Sequence, residues 1–205
     1  TYPWTPVQYT DWARETARDF LPGAPGGARL DFVATMDYAC EKAVNRDVLR
    51  TNRDRIKASI WNEIACREAD PLLPWLPVLQ GDSLGERRFD LELRRWLGLL
   101  PTDYAGVGSI CGRGARSAVR TLLFLKGQLP ACRYHAFGLH VGALDHPDAW
   151  QAVRSWDSYS WTWPRGAKQG RPGLYVRQED ESRSVYTRRL ARLYWRETVA
   201  PRLMP

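Results

Sequence analysis

Four short segments each run from apolar residues to a glycine- or aspartate-bearing tip and a fifth, VRSWDSYSW, ends the series with an aspartate; these tips carry the residues with chemical capacity. Asp37 closes FVATM, where its carboxylate would accept two N–H donors from a guanine-like edge; an aspartate after a strand also commonly caps a helix. Gln80 closes LPWLPVLQ and offers both a donor and an acceptor to the polar edge of a heterocycle, although Gln-Gly-Asp also makes a polar turn. Gly106 and Gly108 in GVGS bare the backbone, so a planar base or a phosphate can approach to hydrogen-bonding distance. The pair lacks the third glycine and downstream acid of a dinucleotide fingerprint. Asp157 lies between Trp156 and Tyr159, with Trp161 and Trp163 close behind. A carboxylate partly desolvated by aromatics at a strand end is a competent nucleophile toward an anomeric carbon, and aromatic faces stack bases. The plainer reading makes the tryptophans core and Asp157 a cap.

His135 and His140 flank AFGL, and a strand histidine is more often a hydrogen-bonded structural residue than an acid or base. Ser109 has no adjacent histidine in a nucleophile-elbow setting, so a hydrolase triad is not supported there. Cys40, Cys66, Cys111 and Cys132 show no paired spacing, so free thiols and no metal are expected, with Cys40 and Cys111 near the site.

Positioning these tips requires strands alternating with helices. A helix is expected over DWARETARDFL, capped at Thr10 with Ala13, Ala17 and Phe20 on one face, before GAPGGA breaks it and feeds LDFVATM. The charged stretch from 41 to about 69 carries Val44, Leu49, Ile56, Ile60 and Ile64 and reads as one amphipathic helix or two, ended by Pro71 and Pro74. LPWLPVLQ reads as a buried strand despite two prolines, which belong at strand starts or unpaired edges. Helices follow over 87–100 and 114–128, the latter with Val119, Leu122, Leu123 and Leu125 toward the core and closed by Gly127. Strands YAGVGSI, RYHAFGL and VRSWDSYSW, and a helix through 147–153, complete five strand-and-helix units. Residues 164–183 read as a long loop and 184–198 as a final amphipathic helix.

The chain of 205 residues, 44% hydrophobic, is expected to form a single α/β domain. It shows neither a long apolar span nor a secretory signal pattern, so an intracellular, cytoplasmic protein without membrane contact is expected. Thirty basic residues, nearly all arginine, against 23 acidic ones give +7 and favour a polyanionic partner, although high-GC coding also enriches arginine. Arg113, Arg116, Arg165 and Lys168 are the candidate nucleic-acid contacts.

In order, MDYACE, PVLQGD, YAGVGSICGR, HAFGLH and SWDSYSW resemble the DNA-guanine transglycosylase branch of the tRNA-guanine transglycosylase superfamily, whose expected motifs read MDWMCE, PVLQGW, GVGSVCRR, HGFGVK and SADSMAW. The resemblance spans roughly residues 30–163. It implies a (β/α)8 TIM-type barrel that replaces guanine in DNA, tRNA being the less favoured substrate, with a 7-deazaguanine such as 7-cyano-7-deazaguanine, using no cofactor. Asp157 matches the nucleophile, Asp37 the reader of the amino-imine edge, Gln80 the base-recognition glutamine, Gly106 and Gly108 the backbone donors, and Cys40 lies among the base-binding residues. The family's upstream DSGGF motif, bearing the proposed acid/base aspartate, is absent, as is the zinc-binding cluster of the tRNA enzymes. His140 stands for the lysine of FGVK and Asp82 for the aromatic after PVLQG. The barrel is therefore expected to lack its N-terminal strands in this chain, as the remainder of a longer enzyme or as a degenerate relative completed by a partner chain or by homo-oligomerisation. A non-catalytic nucleic-acid-binding paralogue is the alternative.

Overall fold

A computed structural model describes residues 4–18, 31–40, 51–157, 196 and 200. Phe20, Val44, Leu49, Tyr159, Trp161, Trp163, Arg165, Lys168, the loop at 164–183 and, residue 196 apart, the helix at 184–198 lie outside the described residues.

Helix α1 spans Pro6–Arg18. It begins before the expected cap: Thr5 Oγ1 accepts from the Gln8 N–H at 3.3 Å, and Gln8 Oε1 accepts from the Thr5 N–H at 2.9 Å. This reciprocal pair satisfies two amide donors at the helix start. Thr10 instead sits one turn inside, its hydroxyl donating to the Pro6 carbonyl at 2.8 Å. Strand β1, Val33–Ala34, precedes α2, Asn52–Ala69, whose Thr51 and Asp54 form a capping box and whose Ile56 and Ile60 are buried.

The expected strand LPWLPVLQ is divided into β2, Trp75–Leu76, and β3, Val78–Leu79, because Pro77 has no N–H to continue the ladder. The division is useful. Leu76 pairs back to β1, while the Pro77 carbonyl accepts from Gly106 on the other side. Helix α3, Leu84–Trp96, starts at a Ser83–Glu86 capping box, β4 covers Tyr104–Val107, and α4 covers Ala115–Gln128. Leu123 of α4 is exposed, contrary to expectation, and the helix continues past Gly127 to a cap at Leu129. Strand β5, Arg133–Ala136, a 3₁₀ turn at Val141–Asp145, α5, Pro147–Ala152, and β6, Val153–Trp156, complete the described chain.

Among the described residues the pairings are parallel: β1 with β2, then β3, β4, β5 and β6 in chain order. Parallel neighbours need crossovers, and α3 and α4 supply them between β3, β4 and β5. The molecule is thus a mixed α/β fold with parallel sheets. Among the described residues no pairing joins β6 back to β1.

Alternation along the strands separates two faces. Ala105, Val107, Tyr134 and Ala136 join Leu79, Leu122 and Leu125 in the main core. A second cluster joins Ala13, Met36, Cys66 and Trp75, and a third joins Cys40, Ile56 and Ile60. Burial pushes the Cys132 thiol up to about 11, and all four cysteines are free thiols, with Cys111 the exposed one.

Candidate functional site at the carboxyl ends of the strands

The face opposite the main core holds the candidate site. Val78, Gly106 and His135 lie side by side by register, and Gln80, Gly108 and Phe137 form the next row, just past the strands. A regular ladder from Tyr134–Val153 would set Arg154 opposite His135, but a bulge sets Ser155 there instead. Ser155 and, two residues on, Asp157 are thereby brought to the same row system. In parallel α/β sheets this end, beyond the carboxyl termini, is where ligands bind.

Asp157 is half-exposed, its side chain 48% accessible, and two donors hold its carboxylate. The Gly138 N–H donates to Oδ1 at 2.5 Å, and His135 Nε2 lies 3.4 Å from Oδ2. Gly138 has φ of +64°, a left-handed conformation suited to glycine, and a side chain there would meet Cys111 Sγ at 2.7 Å. Partial burial would raise the Asp157 pKa, but the His135 hydrogen bond and the Gly138 N–H outweigh it and hold the carboxyl below its ordinary 3.8. Asp157 is therefore ionised at neutral pH. The expected aromatic enclosure is not supplied by Trp156, whose ring packs edge-on against Trp150 at 5.3 Å and joins the core.

Behind His135 stand two groups that the sequence reading missed. His135 Nδ1 lies 2.6 Å from Ser155 Oγ, which lies 2.6 Å from the Tyr104 hydroxyl. No spacing signal links residues 104, 135 and 155, because their meeting depends on register and on the bulge.

Gln80 is fully buried and hydrogen-bonded to Asp37 through Nε2. Its orientation follows from its neighbours. The Cys40 N–H donates to Ser109 Oγ at 2.8 Å, so that hydroxyl gives its own proton to Gln80 Oε1 at 2.5 Å. The amide nitrogen is then left facing the Asp37 carboxylate. Ser109 has φ of +53°, a strained conformation for a residue with a side chain, and it joins the tips of β1, β3 and β4.

Gly106 and Gly108 have a role other than the expected one. Their N–H groups donate to the Pro77 and Leu79 carbonyls at 2.8 and 3.0 Å, so they serve the sheet and not a ligand. Their missing side chains instead make room. A Cβ at Gly108 would lie 2.7 Å from Gln80 Cδ, and one at Gly106 would lie 2.6 Å from Phe137 Cε2.

The Cys40 side chain is buried with Ile56 and Ile60, its Sγ 3.8 Å from the Asn52 carbonyl, and its N–H reaches the site through Ser109. Arg113 is a loop clamp, not a phosphate arm. It donates to the Ser109 carbonyl at 2.8 Å and to Ser117 Oγ at 3.2 Å, and it pairs with Asp82. Arg116 and Arg120 are exposed on α4. His140 accepts from the Gly142 N–H at 3.1 Å and caps the 3₁₀ turn.

A buried ionic layer supports the tips from below. Arg87 donates to the Leu79 and Gly108 carbonyls at 3.1 and 2.6 Å, and Arg94 donates to the Val78 carbonyl at 3.0 Å. Arg94 is paired with Glu63 at 2.5 Å and Asp90 at 3.2 Å. Burial works against the Arg94 cation, but Asp90 and Glu63 raise its pKa, while burial pushes Asp90 itself upward against both guanidiniums.

No protein-family model matches the chain, and no curated protein matches it in sequence. Among the described residues no group of three or more His, Cys, Asp or Glu is arranged to hold a metal, and no helix is long and apolar enough to cross a membrane.

Proposed function

We propose that this chain is a base-exchanging transglycosylase that replaces guanine in DNA with a 7-deazaguanine on a (β/α)8-type framework. The observation carrying the proposal is the ionised, half-exposed Asp157 carboxylate, held by Gly138 and His135, at the same strand ends as the Gln80–Asp37 pair. A nucleophile and a polar purine reader then belong to one site. The resemblance of five ordered motifs supports the same reading.

In this reading an Asp157 oxygen bonds to C1′ as the C1′–N9 bond breaks, and the electron pair leaves with guanine. The departing purine takes a proton from water, and the incoming base surrenders the equivalent proton, so the cycle is proton-neutral. Asp37 accepts from the amino-imine edge of the base. Gln80, aligned by Ser109, exchanges its bond to Asp37 for one to the purine. Phe137, whose ring covers Gly106, gives the base an aromatic surface.

The test is release of labelled guanine from duplex DNA, and separately from tRNA, with and without 7-cyano-7-deazaguanine. Release from DNA that is abolished in Asp157→Ala is expected. Release from tRNA alone would shift the substrate. Binding without release from either would leave a non-catalytic nucleic-acid-binding protein.

A further inference from the structure

We propose that His135, backed by Ser155 and Tyr104, is the positioning residue that orients Asp157 and leaves its Oδ2 as the attacking oxygen. The proposal rests on the base-exchange reading above. Its geometry begins with an acceptor: an ionised carboxylate cannot donate, so His135 Nε2 carries the proton in the 3.4 Å contact with Oδ2. In the Nε2–H tautomer Nδ1, 2.6 Å from Ser155 Oγ, is an acceptor and the Ser155 hydroxyl is its donor. Ser155 in turn accepts from the Tyr104 hydroxyl at 2.6 Å. Every proton in Tyr104–Ser155–His135–Asp157 runs toward the carboxylate.

The imidazole has little freedom to leave this line. It is 8% exposed, with the rings of Phe32 and Phe137 centred 5.1 and 4.4 Å away. Among the described residues, the charged groups seen against this line are Asp157 itself and Arg154, whose guanidinium sits 5.1 Å over the Tyr104 ring. The two carboxylate oxygens are unequally held, Oδ1 by Gly138 at 2.5 Å and Oδ2 by the longer contact. Ester formation at Oδ2 gives up the weaker bond and leaves the Gly138 N–H on the ester carbonyl. His135 holds the nucleophile through Nε2 without exchanging a proton with the base. The lowered pKa of Asp157 agrees with a donor at this position.

The test uses the full chain and reads two quantities, the carbon-13 carboxylate titration of Asp157, assigned with Asp157→Asn, and the rate of covalent adduct formation on guanine-containing DNA. His135→Leu removes the donor; it is expected to move the Asp157 titration upward toward 3.8 and to slow adduct formation about 10- to 100-fold, with little change in KM. His135→Gln, which returns an N–H near the Nε2 position, should recover most of both. Tyr104→Phe removes one distant hydroxyl and should shift both quantities in the same direction by less, which keeps the test decisive where His135→Leu fails to fold. An Asp157 titration unchanged in the folded variants overturns the proposal. A titration that shifts as expected in a protein forming no adduct upholds the contact and refutes the base-exchange reading instead.

Discussion

At the scale of single residues, the site depends on side chains held in one orientation by the donor and acceptor roles of their neighbours. The Cys40 N–H can only donate, which turns the Ser109 hydroxyl toward Gln80 Oε1 and the Gln80 amide nitrogen toward Asp37. Gly108 makes this arrangement possible by leaving its side-chain volume to Gln80. Gly108→Ala is therefore expected to push Gln80 off Asp37. Overpacking of this kind costs about 1–3 kcal/mol of stability, and a shift of about 1 Å in a positioning group costs about 100-fold in rate. Exchange kinetics beside chemical denaturation of the same variant would check both, and a variant with normal exchange would contradict the role given to Gln80. Asp37 and Gln80 stand out as candidates in the sequence because each follows an apolar run, and Asp157 because it sits among aromatic residues in the last strand-like segment. The roles of Gly106, Gly108 and Cys40 do not stand out there, because a bare G-x-G does not reveal that its N–H groups are already spent on the sheet.

At the scale of elements, the strand tips are held in place from the side facing the helices. Arg87 and Arg94 on α3 donate to the Leu79, Gly108 and Val78 carbonyls, and Glu63 on α2 ties the two helices together through Arg94. Arg94→Ala would strand Glu63 and Asp90 as buried carboxylates without their main counter-ion. The expected loss is about 3–5 kcal/mol, read from the urea midpoint. Arg67→Ala is the control, since Arg67 also pairs with Glu63 but its side chain is 41% exposed, and under about 1 kcal/mol is expected. Equal losses would deny the buried layer its special part. The alternation of strands and helices was readable because apolar period and proline or glycine stops mark it. Three features were not: the Thr5 start of α1, the division at Pro77 and the bulge that sets Ser155 opposite His135. The first two are local, a Thr5–Gln8 side-chain pair and the missing N–H of Pro77, whereas the bulge depends on a partner strand elsewhere in space and decides whether Asp157 meets His135.

At the scale of the whole molecule, the parallel strands gather their polar tips at one end, and the arginine excess gives the chain a formal charge of +7. Parts of that excess are structural, because Arg87, Arg94 and Arg113 are committed to carbonyls and carboxylates, whereas Arg116 and Arg120 stay exposed on α4. Charge alone therefore overstates the number of phosphate contacts. If about four phosphates are neutralised, log affinity for duplex DNA should fall against log salt with a slope near about −3.6. A salt-independent affinity, measured by anisotropy across a potassium chloride series, would remove DNA as the polyanionic partner. The central claim is that Asp157 becomes esterified to the sugar. Its most direct test is the intact mass of the protein quenched after incubation with a guanine-containing duplex oligonucleotide, followed by peptide mapping. The account predicts a mass gain equal to the modified strand less guanine, confined to the peptide bearing Asp157 and absent from Asp157→Asn. Guanine release undiminished in that variant, or an ester on another residue, would contradict it.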